Sequence, residues 1–460
     1  MFFDRSALIA FNPPHRGYGI AVTDIDHDGH FELIVTGFGY PNRVLKWDGQ
    51  RLIDAAPAPL IDAHRHAIGL AAADIDADGR EELYILNSDT FSGQKRLADR
   101  LFVESYSGWI DLFELPDNRR VINLTAGRSV AAIDRFGNGR YSFFIANYGG
   151  PMALYELDDD GHLHDVAPSA HLNLITGGRG VLAAPFFGPH IDLFTVNELS
   201  PNFFFRNRGD GVFDEIARPA GLVDANENGR GLALVDAAGD GRLGIVYGNW
   251  EGPHRLFHQV ATGSFRNIAP DTLATPSRVR TVIAADFDND GYEEIFFNNI
   301  GQPNRLFAFR NGQWQPTDIG AALEPTGLGT GAAVADLDGD GRLELYIAHG
   351  ESGEQPISVY HPELNAHHWL RVQPLTRDGA PARGALVTLH AGGRTQHRVI
   401  DGGSGYLCQM EPVAHFGLGS LTRVDALNIM WPGGATVTLP TPALDTVHAI
   451  PFPERAPSPR

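Results

Sequence analysis

A nine-residue acidic phrase occurs four times in this chain and constrains its fold more than any other feature. Each copy carries an acidic residue at positions 1, 3, 5 and 9, glycine at position 6 and an apolar residue at position 2. Carboxylates in this pattern can surround one hard cation with oxygen atoms, and the glycine permits the sharp turn that brings them together. The phrase therefore predicts four calcium loops, whose ligands are Asp24, Asp26, Asp28 and Glu32; Asp74, Asp76, Asp78 and Glu82; Asp286, Asp288, Asp290 and Glu294; and Asp336, Asp338, Asp340 and Glu344.

These loops do not belong to EF-hands. An EF-hand needs a bidentate Glu at position 12, where the four copies carry Val35, Ile85, Phe297 and Ile347. Each of these residues lies in a short apolar run that predicts a β-strand. We therefore expect calcium loops between strands, with each ion in a mainly structural role.

Weaker copies of the phrase extend the repeat to seven units. They occur at Asp134 with Asn138, near Ala184, and at Asp236 with Asp240, so that the first loop positions of the seven units fall at 24, 74, 134, 184, 236, 286 and 336. Unit five keeps two carboxylates, unit three keeps one and unit four is expected to have none, so these three should bind calcium weakly or not at all. Each unit contains four short strand patterns, and repeats of this length with four strands predict a seven-bladed β-propeller.

The two ends of the repeat predict how the ring closes. The seventh unit lacks a fourth strand, and residues 2–8, FFDRSAL, resemble the fourth-strand phrase of the other units. An N-terminal strand that completes the last blade would remove the open sheet edges. We expect the propeller to span residues 1–362. Residues 363–460 are expected to form a small β-rich domain that covers the last blade and ends in a disordered Pro-rich segment.

Charge and cysteine content narrow the possible partners and locations. The chain has 36 basic and 56 acidic residues and a net charge of −20, to which the loop carboxylates contribute most. This balance argues against nucleic acid or an anionic membrane as a partner, and no apolar run predicts membrane insertion. The single cysteine, Cys408, permits no internal disulfide and is expected in the core. Without a recognisable signal peptide the chain is expected in the cytoplasm, or in an extracellular or periplasmic setting if a leader has been removed.

The repeats resemble the FG-GAP/VCBS propeller repeats that also occur in integrin α-subunits, where loops of this pattern bind calcium. The tail phrases GSGYL, HFGLG and WPGG are similar to the ASPIC/UnbV domain that follows such propellers in the cartilage acidic protein family. The resemblance implies a calcium-bound seven-bladed propeller followed by a small β-rich domain. It implies little about chemistry, because members are mostly described as calcium-binding, adhesion-like or uncharacterised, and UnbV itself is associated with enediyne biosynthesis clusters.

Two columns of the repeat are expected on the face opposite the calcium loops. Six residues before the loop, or five in unit four if that unit is aligned with a one-residue deletion, the channel-lining strand starts with Tyr18, Ile68, Arg128, Arg179, Arg230, Arg280 and Thr330. Thirteen residues after the start of the loop stand Gly37, Asn87, Asn147, Asn197, Asn249, Asn299 and His349. Guanidinium groups suit carboxylate, phosphate or sulfate, and amides can orient a ligand. Alternatively, the arginines pair with neighbouring blades and the amides end their strands in turns.

Other residues extend this candidate site. Trp250 could pack against a ligand, and His66 could extend the rim of the channel mouth. About ten extra residues at 88–98 interrupt unit two on the same face, where they could form a lid or an inert insertion.

Three functions are compatible with this pattern. The first is a calcium-stabilised propeller that binds a small anionic or polyhydroxylated ligand, or an acidic segment of a protein partner, at the channel mouth. The second is an enzyme, a lyase or a natural-product cyclase, that uses the same funnel, although no catalytic residues are identifiable from the sequence. The third is an adhesion or interaction protein.

Overall fold

The computed structural model describes residues 1–106 and 108–453. The Pro-rich end for which disorder was predicted includes residues 454–460, which lie outside the described residues. In the described part of the chain, seven sets of four antiparallel strands form a β-propeller, and a smaller β-rich domain follows. The predicted all-β class is confirmed. None of the helices in the described ranges is long and apolar enough to span a membrane.

The propeller strands are short, and each blade contains four of them. In chain order they are β1 (Phe2–Asp4), β2 (Gly17–Thr23), β3 (Glu32–Gly37), β4 (Arg43–Trp47), β5 (Leu52–Asp54), β6 (Ala67–Ala73), β7 (Glu82–Asn87), β8 (Arg100–Ser105), β9 (Gly108–Asp111), β10 (Gly127–Ile133), β11 (Ser142–Pro151), β12 (Ala153–Leu157), β13 (Leu163–Asp165), β14 (Ile175–Ala184), β15 (Asp192–Asn197), β16 (Phe203–Asn207), β17 (Phe213–Glu215), β18 (Gly229–Val235), β19 (Gly244–Asn249), β20 (Arg255–Ala261), β21 (Ser264–Asn267), β22 (Val279–Ala285), β23 (Glu294–Asn299), β24 (Arg305–Arg310), β25 (Gln313–Pro316), β26 (Gly329–Ala335), β27 (Glu344–His349) and β28 (Ser358–Pro362).

The first strand of each blade lies innermost, next to the first strands of the neighbouring blades, and β26 adjoins β2 to close the ring. The last blade is completed by the N-terminus, because β1 pairs with β28 from Phe2, opposite Pro362, to Asp4, opposite Tyr360. Blades 3 and 4 are also joined, since the long strands β11 and β14 pair with each other beyond their own blades. The predicted N-terminal closure is confirmed.

Short helices connect several blades. In the described ranges they are α1 (Ala58–Ile61), α2 (Ala167–Ala170), α3 (Ala217–Ala220) and α4 (Asp271–Ala274), with 3-10 turns at Ser6–Leu8, Leu112–Glu114 and Ala321–Leu323.

The C-terminal domain consists of two small sheets around one apolar core that includes Leu370, Phe416 and Trp431. Its strands are β29 (His368–Pro374), β30 (Leu386–Ala391), β31 (Arg394–Val399), β32 (Ala414–Gly419), β33 (Ala426–Met430), β34 (Thr436–Pro440) and β35 (Val447–Ile450).

This domain lies across the face that carries the acidic loops, not on the last blade alone as the sequence suggested. Arg383 pairs with Glu81 of blade 2, and the backbone N–H of Gly417 donates to Asp286 of blade 6 at 3.1 Å. Arg371 donates to Asp336 of blade 7 at 2.7 Å. The prediction that the tail covers the last blade was too narrow, because its polar groups find complementary partners on several blades.

One segment of the tail, residues 402–411, enters the central channel, and we call it the channel loop. Its backbone bonds to innermost strands of several blades, including Ala132 N–H to Gly402 O at 2.6 Å and Gly405 N–H to Leu232 O at 2.8 Å. A Cβ at Gly231 would lie 2.1 Å from the Gly405 carbonyl oxygen, so the channel accommodates the loop only where the strand lacks a side chain. Cys408 is buried within this loop, and burial raises the pKa of its thiol to about 12.

Candidate functional site

Each complete acidic loop is a β-hairpin connection between the first two strands of its blade. The Glu at position 9 opens the second strand and its side chain accepts the N–H of position 2, as in Glu32 with Ile25 at 2.8 Å. The Asp at position 1 accepts the N–H group of position 6 in all four loops, and also that of position 5 in the loops of blades 1, 2 and 6, as in Asp24 with Asp28 at 3.1 Å and Gly29 at 2.9 Å. These bonds hold the loop in a tight turn that directs its carboxylates inward.

In all four complete loops at least three carboxylates offer oxygens within 4.8 Å of one another. Burial and the charge of Asp76 raise the pKa of Glu82 to about 9, and burial raises the pKa of Glu32 to about 7. Several buried oxygens have no hydrogen-bond partner in the described part of the chain, namely Oε1 of Glu32, Glu294 and Glu344 and Oδ1 of Asp336. Clustered acids with unsatisfied oxygens fit a hard divalent cation, which takes oxygen ligands.

The three degenerate loops keep the turn but not the acidic cluster. Asp134 accepts three backbone N–H groups of its loop, and Asp236 accepts two. The expectation that unit four has no carboxylate was wrong. Asp192 occupies position 9 and accepts the N–H groups of Phe186 and Phe187 at 3.0 and 3.1 Å. This single carboxylate therefore serves the hairpin.

On the opposite face, the mouth of the channel is a cavity of about 500 Å³. It is lined by the four arginines of the predicted column, which we call the arginine cup: Arg128, Arg179, Arg230 and Arg280. They come from the first strands of blades 3, 4, 5 and 6, whose starts point to the channel axis. Tyr18 and Trp250 from the sequence prediction also line this cavity, and burial raises the pKa of Tyr18 to about 12.

The cup is held by carboxylates, carbonyls and aromatic rings. Glu198 binds both Arg179 and Arg230, the latter at 3.0 Å, and Glu351 binds Arg280. Trp250 lies against two of the guanidinium groups, with its ring centre 4.5 Å from Arg280 and 5.6 Å from Arg230. Such contacts fix the planes of the guanidinium groups before any ligand arrives.

The insertion of blade 2 leans over this cavity. Ser88, Asp89, Thr90 and Phe91 line it, and the carbonyls of Thr90 and Phe91 accept hydrogen bonds from Arg128. The Phe91 ring, 62% exposed, stacks against Arg128 and Arg179 at 5.3 Å each. The insertion therefore forms part of the cavity wall.

The floor of the cup comes from the C-terminal domain, which the sequence did not predict. Tyr406 and Leu407 of the channel loop line the cavity, and the Tyr406 hydroxyl lies 3.3 Å from Arg179 Nη1. Burial alone would raise the pKa of Tyr406, but the four arginines together lower it. The phrase GSGYL was visible in the sequence as a turn, although nothing in its spacing connected it to the arginines.

The amide column does not line the cavity, and of the two alternatives given for it the contacts match the one in which the amides end their strands in turns. Four of its side chains donate to a proline carbonyl four residues later: Asn147 to Pro151, Asn197 to Pro201, Asn249 to Pro253 and Asn299 to Pro303, at 2.5 to 2.8 Å. His349 bonds to Pro356 O at 2.7 Å, and Asn87 is fully buried. These residues close the turn between the second and third strands of their blades. His66 stacks on Phe38 at 4.3 Å, behind the cavity wall.

This chain matches two protein-family models, several solved structures and curated relatives along most of its length. The FG-GAP-like repeat model matches residues 24–85, 236–297 and 286–347, and the ASPIC and UnbV model matches residues 376–456. Among solved structures, BBS1N in complex with ARL6DN has a TM-score of 0.48 at 11% identity, covering 79% of this chain and 98% of that chain. YCF48 bound to D1 peptide has a TM-score of 0.45 at 11% identity, covering 76% and 92%.

The chain is thus a β-propeller of FG-GAP-like repeats followed by an ASPIC/UnbV domain. It is 48% identical to "Cartilage acidic protein 1" of Homo sapiens over 93% of this chain and 70% of that protein. The Xenopus tropicalis protein of the same name is 47% identical over 93% and 72%. This chain belongs to the cartilage acidic protein 1 family.

Proposed function

We propose that this protein is a calcium-stabilised interaction module whose arginine cup binds an anionic group of a small ligand or of an acidic partner segment. The observation that supports this proposal is the convergence of four arginines from four consecutive blades on one open cavity. The chain carries a net charge of −20, so this local concentration of positive charge is unlike the rest of the molecule. Guanidinium groups bind carboxylate, phosphate and sulfate through charged hydrogen bonds.

The arginines of the cup have fewer carboxylate partners than guanidinium groups, which leaves positive charge available to an anion. Arg128 reaches backbone carbonyls, with no carboxylate among its contacts in the described residues. Arg179 and Arg230 share one carboxylate, Glu198, so a second acceptor could bind between them. The Nε atoms of Arg128, Arg230 and Arg280 are buried and lack acceptors in the described ranges. An oxyanion in the cavity would therefore pair with guanidinium groups that outnumber the carboxylates bound to them.

Calcium in the acidic loops would have a supporting role on the opposite face. The loop residues would hold each ion through carboxylate oxygens, and the ion would neutralise acids that otherwise repel each other. Because the unfolded chain lacks these sites, calcium stabilises the folded state by mass action.

We also propose an extracellular setting in place of the cytoplasmic one. The relatives carry a name that refers to cartilage, which gives the cytoplasmic prediction no support. Calcium modules in extracellular settings bind with a Kd of about 10⁻⁴–10⁻³ M, so binding experiments belong at millimolar calcium.

The test is anion binding by isothermal titration calorimetry in millimolar calcium, with sulfate, inorganic phosphate and a hexaglutamate peptide as probes. Arg128→Gln and Arg280→Gln should each weaken the binding of the preferred probe at least about tenfold, because one charged hydrogen bond contributes about 1.5–3 kcal/mol. Arg278→Gln is the matched control, because Arg278 is a half-exposed arginine that pairs with Glu251 at 2.9 Å outside the cup. Equal weakening in all three variants, or no binding of any probe, would overturn the proposal.

A further inference from the structure

The acidic loop of blade 7 differs from those of the other complete units because a histidine faces it from the third strand. In blade 1 the residue at this register is Lys46, which follows Leu45, the partner of Leu33. In blade 7 it is His361, which follows Tyr360, the partner of Leu345. Lys46 contacts Asp28 at 2.6 Å, and a charged ammonium group can only donate. An imidazole at this position can instead bind a metal ion directly.

The histidine and the loop carboxylates have the spacing of a metal ligand set. His361 Nε2 lies 3.6 Å from Glu344 Oε1 and 3.1 Å from Asp340 Oδ2. His361, Glu344 and Asp338 offer ligand atoms that all lie within 4.8 Å of one another. Two ligands at 2.0–2.2 Å from a tetrahedral ion are separated by about 3.4 Å. These separations therefore suit a small divalent ion with little adjustment.

Two further observations point to a bound cation. Glu344 is 4% exposed and its Oε1 atom, which faces His361, has no hydrogen-bond partner in the part of the chain that the structure describes. His361 Nδ1 lies 2.7 Å from the Pro362 carbonyl oxygen, which accepts its proton. Metal-binding histidines usually donate their second ring N–H to such an acceptor, which directs the lone pair of the other nitrogen at the ion.

We propose that the blade 7 loop, unlike the other three complete loops, binds a divalent transition metal ion such as Zn²⁺ in place of the calcium expected from the sequence, through His361, Glu344 and Asp338. The other complete loops offer oxygen ligands, which suit calcium, whereas an imidazole with two carboxylates suits zinc and its neighbours. Asp340 is the weaker candidate for a ligand, because its Oδ2 atom also lies 3.3 Å from Arg342 Nη1. This site does not depend on the arginine cup.

The test titrates the full chain with Zn²⁺ by calorimetry in millimolar calcium. The unchanged chain should bind one zinc ion that calcium does not displace, and His361→Gln should weaken this binding at least about tenfold, since even second-shell changes at metal sites cost 10–100-fold in affinity. His258→Gln is the matched control. His258 holds the same register in blade 5, 3.5 Å from Asp240, beside a loop with only two carboxylates.

Cobalt absorption gives a second readout that requires no substitution. Co²⁺ bound to the unchanged chain in millimolar calcium should show the intense visible bands of a four- or five-coordinate site with a nitrogen ligand. Weak bands of an octahedral oxygen site, zinc affinity unaffected by His361→Gln, or equal loss in His258→Gln would overturn the proposal. Anion binding by the cup is measured separately, so failure here leaves the proposed function standing.

Discussion

Replacement of Arg383 by Met should detach the C-terminal domain from the propeller. Arg383 is 1% exposed and donates to both carboxylate oxygens of Glu81, at 2.5 and 2.9 Å, across the domain boundary. It also donates to the carbonyls of Asp401 at 2.7 Å and Val22 at 3.2 Å. One guanidinium group of the tail thus binds blade 2, the base of the channel loop and the first strand of blade 1.

The expected loss is large because both charges are buried. Methionine fills a similar length but leaves Glu81, which is 4% exposed, with Thr23 as its remaining side-chain donor, at 2.6 Å. Removal of one member of a buried ion pair costs about 3–5 kcal/mol, because the other charge remains desolvated. The double variant Arg383→Met with Glu81→Gln removes that charge, keeps the Thr23 bond and should recover most of the loss.

Urea denaturation in saturating calcium measures the free energies, and limited proteolysis shows whether the tail separates first. Arg423→Met is the control, since Arg423 lies in the same domain with a side chain that is 72% exposed and 3.9 Å from Asp425. A surface pair of this kind contributes about 0–1 kcal/mol. If Arg383→Met unfolds like the control, or if the double variant is no more stable than the single one, the domains are not held together by this pair.

Three further predictions concern the loops and the channel. Chelation of calcium should lower the melting temperature, and Glu294→Gln should reduce the calcium-dependent gain without lowering the melting temperature in chelator, as differential scanning fluorimetry would show. In chelator, the raised pKa values of Glu32, about 7, and Glu82, about 9, mean that the folded state holds protons that the unfolded state loses above about pH 4.5. Stability without calcium should therefore fall as pH rises from 5 to 9, and a rise over this window would contradict the burial of these acids. Gly231→Ala should cost about 1–3 kcal/mol by pressing on the channel loop. Gly188→Ala, whose Cβ would meet no atom within 4 Å, should not, and equal effects would exclude the channel clash.

The fold was predictable because the repeat fixes local geometry. Position 9 of each complete phrase pairs with the residue before position 1, as Glu32 pairs with Thr23, so phrase spacing directly reports hairpin spacing. The arginine column was predictable for the same reason, since equivalent positions in equivalent strands point to the same axis. The amide column also repeats at one position of each blade. Four of its amides, however, donate to a proline carbonyl four residues later and do not reach the cavity. Local hydrogen bonds therefore decide whether residues in register become a site.

Contacts between the domains were not predictable, because no periodic pattern relates the tail to the blades. Arg383 lies 302 residues from Glu81, and Tyr406 lies 227 residues from Arg179. Asp192 is a different case, because counting nine positions from Ala184 would have found it. Its loop lacks the other three acids, so that Asp192 is not part of a carboxylate cluster in the sequence.

The channel loop belongs to the C-terminal domain and forms the floor of the arginine cup, so this domain contributes to both faces of the propeller. Asp286 accepts the backbone N–H of Gly417 at 3.1 Å, and Asp336 accepts from Arg371 at 2.7 Å, so position-1 carboxylates of two acidic loops also hold the tail. A cation that orders these carboxylates orders the groups that fix the tail. The tail in turn holds Tyr406 and Leu407 beneath the arginines. The acidic loops on one face and the floor of the cup on the other therefore both contact the C-terminal domain.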